Sequence, residues 1–400
     1  MFSYVESEKS AKIKVIGVGG AGGNAINNMI SSNLQGVKFI TANTDMQALD
    51  ISKAEVKIQM GERLTEGLGA GANPQIGRDA AIESAEVIKS TLADSHMVFI
   101  TAGFGGGTGT GAAPVIAGHC KELGILTVAV VTRPFSFEGK KRARMADDGI
   151  AELKKLADTV IIIPNDRLRG LASKNAKMVE MFRKADEILL HSVKGITDLI
   201  MRPGLVNLDF ADVKTTMSKA GMAIMGIGVA SGENRAVEAA ERAISHPLLE
   251  DINVKGAKGV LMNITSNSEI TMEEMTEASE RIYNEVGEDA EIIWGAVIDD
   301  DIGDEMRVTV IATGIGNETE KPAAPEKSVQ TPDPTYGGKV RDITPADLAI
   351  GVDLDEPTFK RVRGRQAANE SGGSIYKGYK GMIIDHDDLD VPTFLRRKAD

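Results

Sequence analysis

Cysteine is all but missing. Cys120 is the single one in 400 residues, so no disulfide can close within the chain, and a cysteine-ligated zinc or iron–sulfur centre needs more thiols than one copy carries. A reducing, cytoplasmic setting is the expectation. A basic surplus is lacking too: 46 Lys and Arg face 58 Asp and Glu, net −12, which argues against a nucleic-acid partner. Long apolar runs are absent. Stretches such as Thr159 to Ile163 fall far short of the ~20 residues that span a bilayer, so no direct membrane insertion is expected, and the opening MFSYVESEKS lacks the basic and apolar regions of a signal peptide. The five histidines, at 96, 119, 191, 246 and 386, show no ligand spacing, and no protein metal site is assigned. What is present is ordinary for a folded protein, 42% hydrophobic and 26% charged, with length for two or three domains.

The chain changes character after Asn317. Seven of its 13 prolines lie beyond that point, in segments such as EKPAAPEKSVQTPDPTYGGK that have no apolar period and cannot offset their ordering entropy by burial. Residues 318–382 therefore read as a disordered linker, and 383–400, ending IIDHDDLDVPTFLRRKAD, regain apolar character. Before Asn317, apolar runs at Lys12 to Gly17, Val37 to Ala42, Met97 to Thr101, Ile125 to Thr132 and Thr159 to Pro164 predict buried strands. They alternate with helical periods at Asn24 to Ser32, Gln75 to Ser95, Gly109 to Leu123 and Glu138 to Leu156, the pattern of a Rossmann-like parallel sheet with helices on both faces. A long amphipathic helix follows at 179–202. Beyond Pro203, strands at Ala223 to Ala230, Val260 to Thr265, Glu291 to Asp299 and Met306 to Thr313 surround helices at Arg235 to Ile244 and Thr271 to Glu285. The last two strands, back to back around IGDE, predict a hairpin in a mixed sheet. The fold class is α/β: a parallel-sheet domain at 1–178, a central helix, a second α/β domain at 203–317, then the tail.

Glycines carry the chemistry. The first strand runs into GVGGAGGNA, Gly17 to Ala25, where backbone N–H groups can turn toward an anion at a helix start. The spacing also satisfies G-x-G-x-x-G, and Asp45 follows the second strand where a ribose-binding acid would stand, so a dinucleotide-binding oxidoreductase fits this loop taken alone. A second loop, AGFGGGTGTGAAP, follows Met97 to Thr101, and a third, GLGAGANP, spans Gly67 to Pro74. No Walker lysine pattern occurs. Three such loops can surround a triphosphate held by backbone amides, whereas a dehydrogenase needs one.

GGGTGTG is the signature of the tubulin and FtsZ superfamily, and KVIGVGGAGGNA, NTDMQAL, GLGAGANP, RPFSFEGKKR, PNDRL, RPGLVNLDFADV and VTVIATG resemble, in order, blocks of its bacterial cell-division branch. That resemblance implies a filament-forming GTPase. It implies that Gly20, Ala21, Gly22, Gly23 and Asn24 wrap the α- and β-phosphates, that Gly107, Thr108 and Gly109 hold the phosphate chain from the other side, and that Ala70, Gly71 and Ala72 approach the γ-phosphate. Glu138 would bind ribose, Arg142 would reach the phosphates, Asp186 would accept from the guanine edge, and Phe182 would stack on the base. Spacing alone leaves other readings open: Glu138 and Arg142 also fit an exposed i,i+4 pair, and Phe182 also fits plain core. Magnesium is expected with GTP or GDP, held by phosphate oxygens and water.

Asn207, Asp209 and Asp212 stand around a helix start, where one of them can serve as N-cap or, as the resemblance implies, orient water for attack on a γ-phosphate. This loop follows the long helix and belongs at the opposite end from the glycine loops. A shared site between head-to-tail copies is the implied answer, and such heterologous contacts build open filaments. A homologue that assembles without hydrolysing remains a further alternative. At the C-terminus, Asp390, Val391, Pro392, Phe394 and Leu395 resemble the peptide by which the family docks membrane anchors and division regulators, which implies assembly at the mid-cell division site. LDEPTFKR, 354–361, repeats LDVPTFLR, 389–396, at six of eight positions. The repeat suggests a second, weaker docking segment, which partner binding by Phe359→Ala and Phe394→Ala, singly and together, would test.

Overall fold

Ile13–Val18 (β1) is buried at all six positions, the condition of a strand covered by helices on both faces. This and the following geometry come from a computed structural model that describes residues 11–171, 177–202, 204–206, 208–218, 221–249, 256–287 and 290–315. All belong to one compact unit that ends at Ala324. The expected linker and C-terminal peptide lie outside the described residues, as does Asn207.

After β1 come α1 (Gly19–Ser31), β2 (Val37–Asn43), α2 (Met46–Asp50), β3 (Val56–Gln59), α3 (Glu62–Thr65), α4 (Pro74–Glu83) and α5 (Ala85–Leu92). Next are β4 (Met97–Gly103), α6 (Thr108–Glu122), β5 (Leu126–Arg133), α7 (Lys140–Leu156), β6 (Thr159–Pro164) and α8 (Asn165–Leu168). The long α9 (Met178–Met201) leads to β7 (Gly204–Val206), α10 (Phe210–Met217), β8 (Gly221–Ser231) and α11 (Arg235–Ile244). The last elements are β9 (Gly259–Ser266), α12 (Met272–Val286), β10 (Glu291–Ile298) and β11 (Glu305–Ile315).

The strands form one 11-stranded sheet in the order β3-β2-β1-β4-β5-β6-β8-β11-β9-β10-β7. From β3 to β6 it is parallel, and its order reverses between β1 and β4. At such a switch point the loops leaving the strands diverge to opposite faces and open a crevice; the GVGGAGGNA and AGFGGGTGTG loops leave these two strands. One face packs on α1, α9 and α10 through residues such as Ile26, Leu189, Val193 and Val213. The other packs on α4 to α7 through Ala80, Ile88, Ile116 and Leu153. A third cluster joins α11 and α12 to β8, β9 and β11.

Three features differ from the sequence reading. The halves share a sheet, bridged where β6 pairs with β8 at Thr159↔Gly221, Val160↔Met222 and Ile161↔Ala223. The expected hairpin does not form: β11 lies between β8 and β9, antiparallel to both, while β10 pairs with β9 and β7. Burial explains the exchange, because β11 is covered along Val308 to Ile315 and an inner position buries more of it than an edge would. The single helix expected at Gln75 to Ser95 is broken at Ser84, which leaves helical geometry (φ −95, ψ 15) and accepts the Gly61 N–H at Oγ, 3.0 Å. No helix among the described residues is long and apolar enough to cross a membrane.

Candidate nucleotide site

The crevice at the switch point is a cleft of about 350 Å³, the size of a small-ligand pocket. Its floor is the abutting N-termini of α1 and α6: a Cβ added at Gly19 would stand 3.0 Å from the Gly109 nitrogen. The first turn of a helix leaves its N–H groups without intrahelical partners, so two such turns present donors and partial positive charge to one anion. Glycine makes the approach possible in two ways. At Gly22 a Cβ would meet the Thr101 carbonyl at 2.5 Å and Gly17 behind it, whereas at Gly20 and Gly106 it would meet nothing within 4 Å. Gly22 seats α1 on the sheet; Gly20 and Gly106 leave room on the cleft side.

Ten of the sequence-predicted residues line this cleft: Gly20, Ala21, Asn24, Gly107, Thr108, Gly109, Glu138, Arg142, Phe182 and Asp186. Gly22 and Gly23 are buried behind them. Ala70, Gly71 and Ala72 do not line it, but their loop backs it, since a Cβ on Gly107 would stand 2.9 Å from Ala70 Cβ. Ala72 holds a left-handed φ of 56°, unusual for a residue with a side chain. The Thr44 and Thr108 hydroxyls are joined at 2.7 Å, tying the β2 exit to the start of α6.

Glu138 precedes α7, in a 3-10 turn at Ser136–Glu138. One carboxylate oxygen accepts the Phe135 N–H at 2.9 Å and the other pairs with Arg142, so the i,i+4 pair and the cleft position coexist. Phe182 is 44% exposed, a ring at the cleft wall rather than in the core. One turn on, Asp186 has no hydrogen bond or ion pair recorded among the described residues. Burial first, and Glu187 second, push its pKa up to about 6. Asn165, at the end of β6, was not singled out as a site residue in the sequence. It lines the cleft, is 5% exposed, and its Oδ1 has no hydrogen-bond partner among the described residues. The PNDRL block that contains it resembles the family without marking this residue for a role.

Asp45, the acid that favoured a dinucleotide reading, does not line the cleft. It caps α2, accepting from the Gln47 and Ala48 N–H groups at 2.9 and 3.4 Å. Asp209 caps α10, accepting the Asp212 N–H at 2.8 Å, and both acids are exposed. They lie at the far end of the sheet. The Phe210 ring packs on His96, 6.1 Å between centroids, and His96 directly precedes β4, whose other end carries the glycine loop. Between Phe182 and Met201 alone α9 rises about 28 Å. Within one chain the two sets of residues do not meet. Among the described residues no group of three or more His, Cys, Asp or Glu is arranged to hold a metal ion.

The model of the Tubulin/FtsZ family, GTPase domain, matches residues 12–173, and that of the FtsZ family, C-terminal domain, matches 221–316. The chain belongs to the tubulin/FtsZ family. Within this family, the cell division protein FtsZ of Pseudomonas aeruginosa is 50% identical over 407 residues, covering 100% of both chains. That of Coxiella burnetii is 48% identical over 400 residues, covering 99% of each. An empty FtsZ dimer from M. jannaschii superposes with a TM-score of 0.74 at 45% identity, over 78% of this chain and 90% of that one. CetZ2 from Haloferax volcanii, solved as a GTPγS-bound protofilament, shares the fold, with a TM-score of 0.66 at 21% identity over 76% and 94%.

Proposed function

We propose that this chain is a cytoplasmic GTPase that polymerises head to tail and acts in bacterial cell division. The observation that carries the reading is the cleft. Two helix N-termini converge at one side of it, and at the other stand an exposed ring and two underused polar groups, Asp186 and Asn165. The amides and helix ends suit a phosphate chain. Asp186, with a carboxylate free of partners among the described residues, suits the N1–H and 2-amino donors of guanine, which adenine does not offer in that arrangement. Glu138 suits ribose hydroxyls, and Arg142 a phosphate oxygen. Magnesium would arrive with the triphosphate, bound by its oxygens and water. A dinucleotide oxidoreductase is not favoured, because Asp45 is spent on capping α2.

Asp209 and Asp212, with Asn207, are proposed to orient the attacking water in the cleft of the next copy. The place of Asp209 and Asp212 at the far end of the sheet supports this, as does the dimer formed by the M. jannaschii relative. In this division of labour 1–178 binds the nucleotide, α9 spans the molecule, 203–317 supplies the hydrolytic loop, and 318–382 tethers the peptide 383–400. That peptide is proposed to dock membrane anchors and regulators at the division site. Phosphate release from GTP with magnesium, across protein concentrations, tests the shared site. Almost no activity at low concentration and a linear rise beyond a threshold are expected; specific activity constant at every dilution would place the whole site in one chain.

A further inference from the structure

Phe135 touches nothing in the cleft, yet it is joined to two residues that do. Its ring is 1% exposed and packs perpendicular to Phe182, 5.5 Å between centroids at 88°. Its own N–H is held by the Glu138 carboxylate at 2.9 Å, and its carbonyl accepts the Glu138 N–H at 3.0 Å. The exposed ring of Phe137 lies stacked on it, 5.1 Å away at 13°. The loop that carries these rings is itself pinned: the Ser136 N–H and hydroxyl both donate to Asp166, at 3.0 and 3.1 Å. One side chain and one peptide thus connect the wall where a base would stack to the acid that would meet the sugar.

We infer that Phe135 is a positioning residue that fixes the plane of the Phe182 ring and the carboxylate of Glu138 together, so that base and ribose of a guanine nucleotide are recognised as one unit. Perpendicular rings at this spacing resist rotation of either. A carboxylate that accepts a backbone N–H on one oxygen is restricted in how it can turn the other. Phe137 closes the open face of Phe135 and keeps water from that side. The inference rests on the GTP reading of the cleft and goes beyond it: it assigns a role to a residue outside the binding surface.

The test uses the full chain and three nucleotides, GTP, 2′,3′-dideoxy-GTP and ATP, with affinities measured by equilibrium titration for wild type, Phe135→Leu, Phe182→Ala, their double variant and Phe137→Ala. Phe135→Leu keeps an apolar side chain of similar bulk in the core. The expected result is GTP binding weakened about threefold to tenfold, with the preference for GTP over the dideoxy nucleotide reduced. In the Phe182→Ala background the same substitution should cost less in GTP affinity but should still reduce the sugar preference. Phe137→Ala, at a 60% exposed position, should shift both quantities in the same direction by a smaller factor and does not depend on the core tolerating leucine. A folded Phe135→Leu with wild-type affinity and sugar preference overturns the inference. So does a loss of equal size for both nucleotides and in both backgrounds, which would mark a purely structural residue. If the wild-type chain itself shows no preference for GTP over ATP, the reading of the cleft fails instead.

Discussion

Asp186 carries a cost in the folded chain that the proposed base contact would explain. An acid whose folded pKa is raised from 3.8 to about 6 is protonated in both folded and unfolded states below the lower value. Between the two it holds a proton only when folded, so stability falls as pH rises through that window, and the full cost applies above pH 6. Asp186→Asn removes the charge and should stabilise the chain at pH 7.5 by about 1–2 kcal/mol, allowing for partial exposure, as read from urea unfolding. The same variant should lose its preference for GTP over other purine triphosphates. In the wild type, GTP affinity should weaken as pH is lowered through about 6, where the acceptor becomes a carboxylic acid; a flat profile from pH 7.5 to 5.5 would remove Asp186 from the base contact. Its place in the cleft was expected only by resemblance, because nothing in its spacing on α9 distinguishes it from a solvated charge. Asp45 shows the converse. Its position after β2 matched a ribose-binding acid, and only coordinates reveal that its Oδ1 caps α2 and that the residue does not line the cleft. Asn165 lies within the PNDRL match but was given no role, because a single asparagine at a helix start carries no pattern of its own. What marks it is an unsatisfied oxygen in a buried place, which is a property of packing.

At the scale of elements, the glycine loop of α1 separates into two roles that sequence does not distinguish. Gly22→Ala would drive a methyl into the Thr101 carbonyl and the β1 backbone at Gly17. The expected result is a loss of roughly 1–3 kcal/mol from overpacking, seen in thermal or urea melts with or without nucleotide. Gly20→Ala meets open space at a position outside the left-handed region, so its melt should match the wild type while GTP affinity drops, because the methyl occupies the approach to the phosphates. Equal destabilisation by both variants would contradict the assignment. Strands β1, β2, β4, β5 and β6 were legible within a residue or two, since burial on both faces demands continuous apolar runs with glycine or proline at their ends. The same property hid the neighbours of β11. A strand covered on both sides has no alternation to report which strand lies beside it, and the short IGDE connection suggested β10. Short edge pieces such as β3 and β7 carry too few apolar residues for any period to show.

The described unit holds the glycine loops at one end and Asp209 and Asp212 at the other, with α9 running between them. That order was readable in the sequence from a long uninterrupted helix placed between the two motifs. The continuous sheet was not readable, because it depends on three residue pairs between β6 and β8. A polar arrangement of this kind makes a prediction that separates a shared site from a self-contained one. Consider chains carrying Asp212→Asn and chains carrying Asp186→Ala, each inactive alone, mixed in equal amounts. In a head-to-tail contact the cleft of one copy meets the loop of the next, so random pairing yields about a quarter of contacts with an intact cleft facing an intact loop. GTP hydrolysis should return to about a quarter of the wild-type rate at the same total concentration. It should rise further when the nucleotide-competent Asp212→Asn chain is held fixed and its partner is in excess, since each good cleft then more often meets a good loop. A mixture as inactive as its components, although sedimentation shows the two chains in common filaments, would mean that each cleft relies on its own chain. The two ends would then have to approach by a rearrangement of α9 that its buried stripe of Ile188, Val193, Ile196 and Leu199 gives no reason to expect.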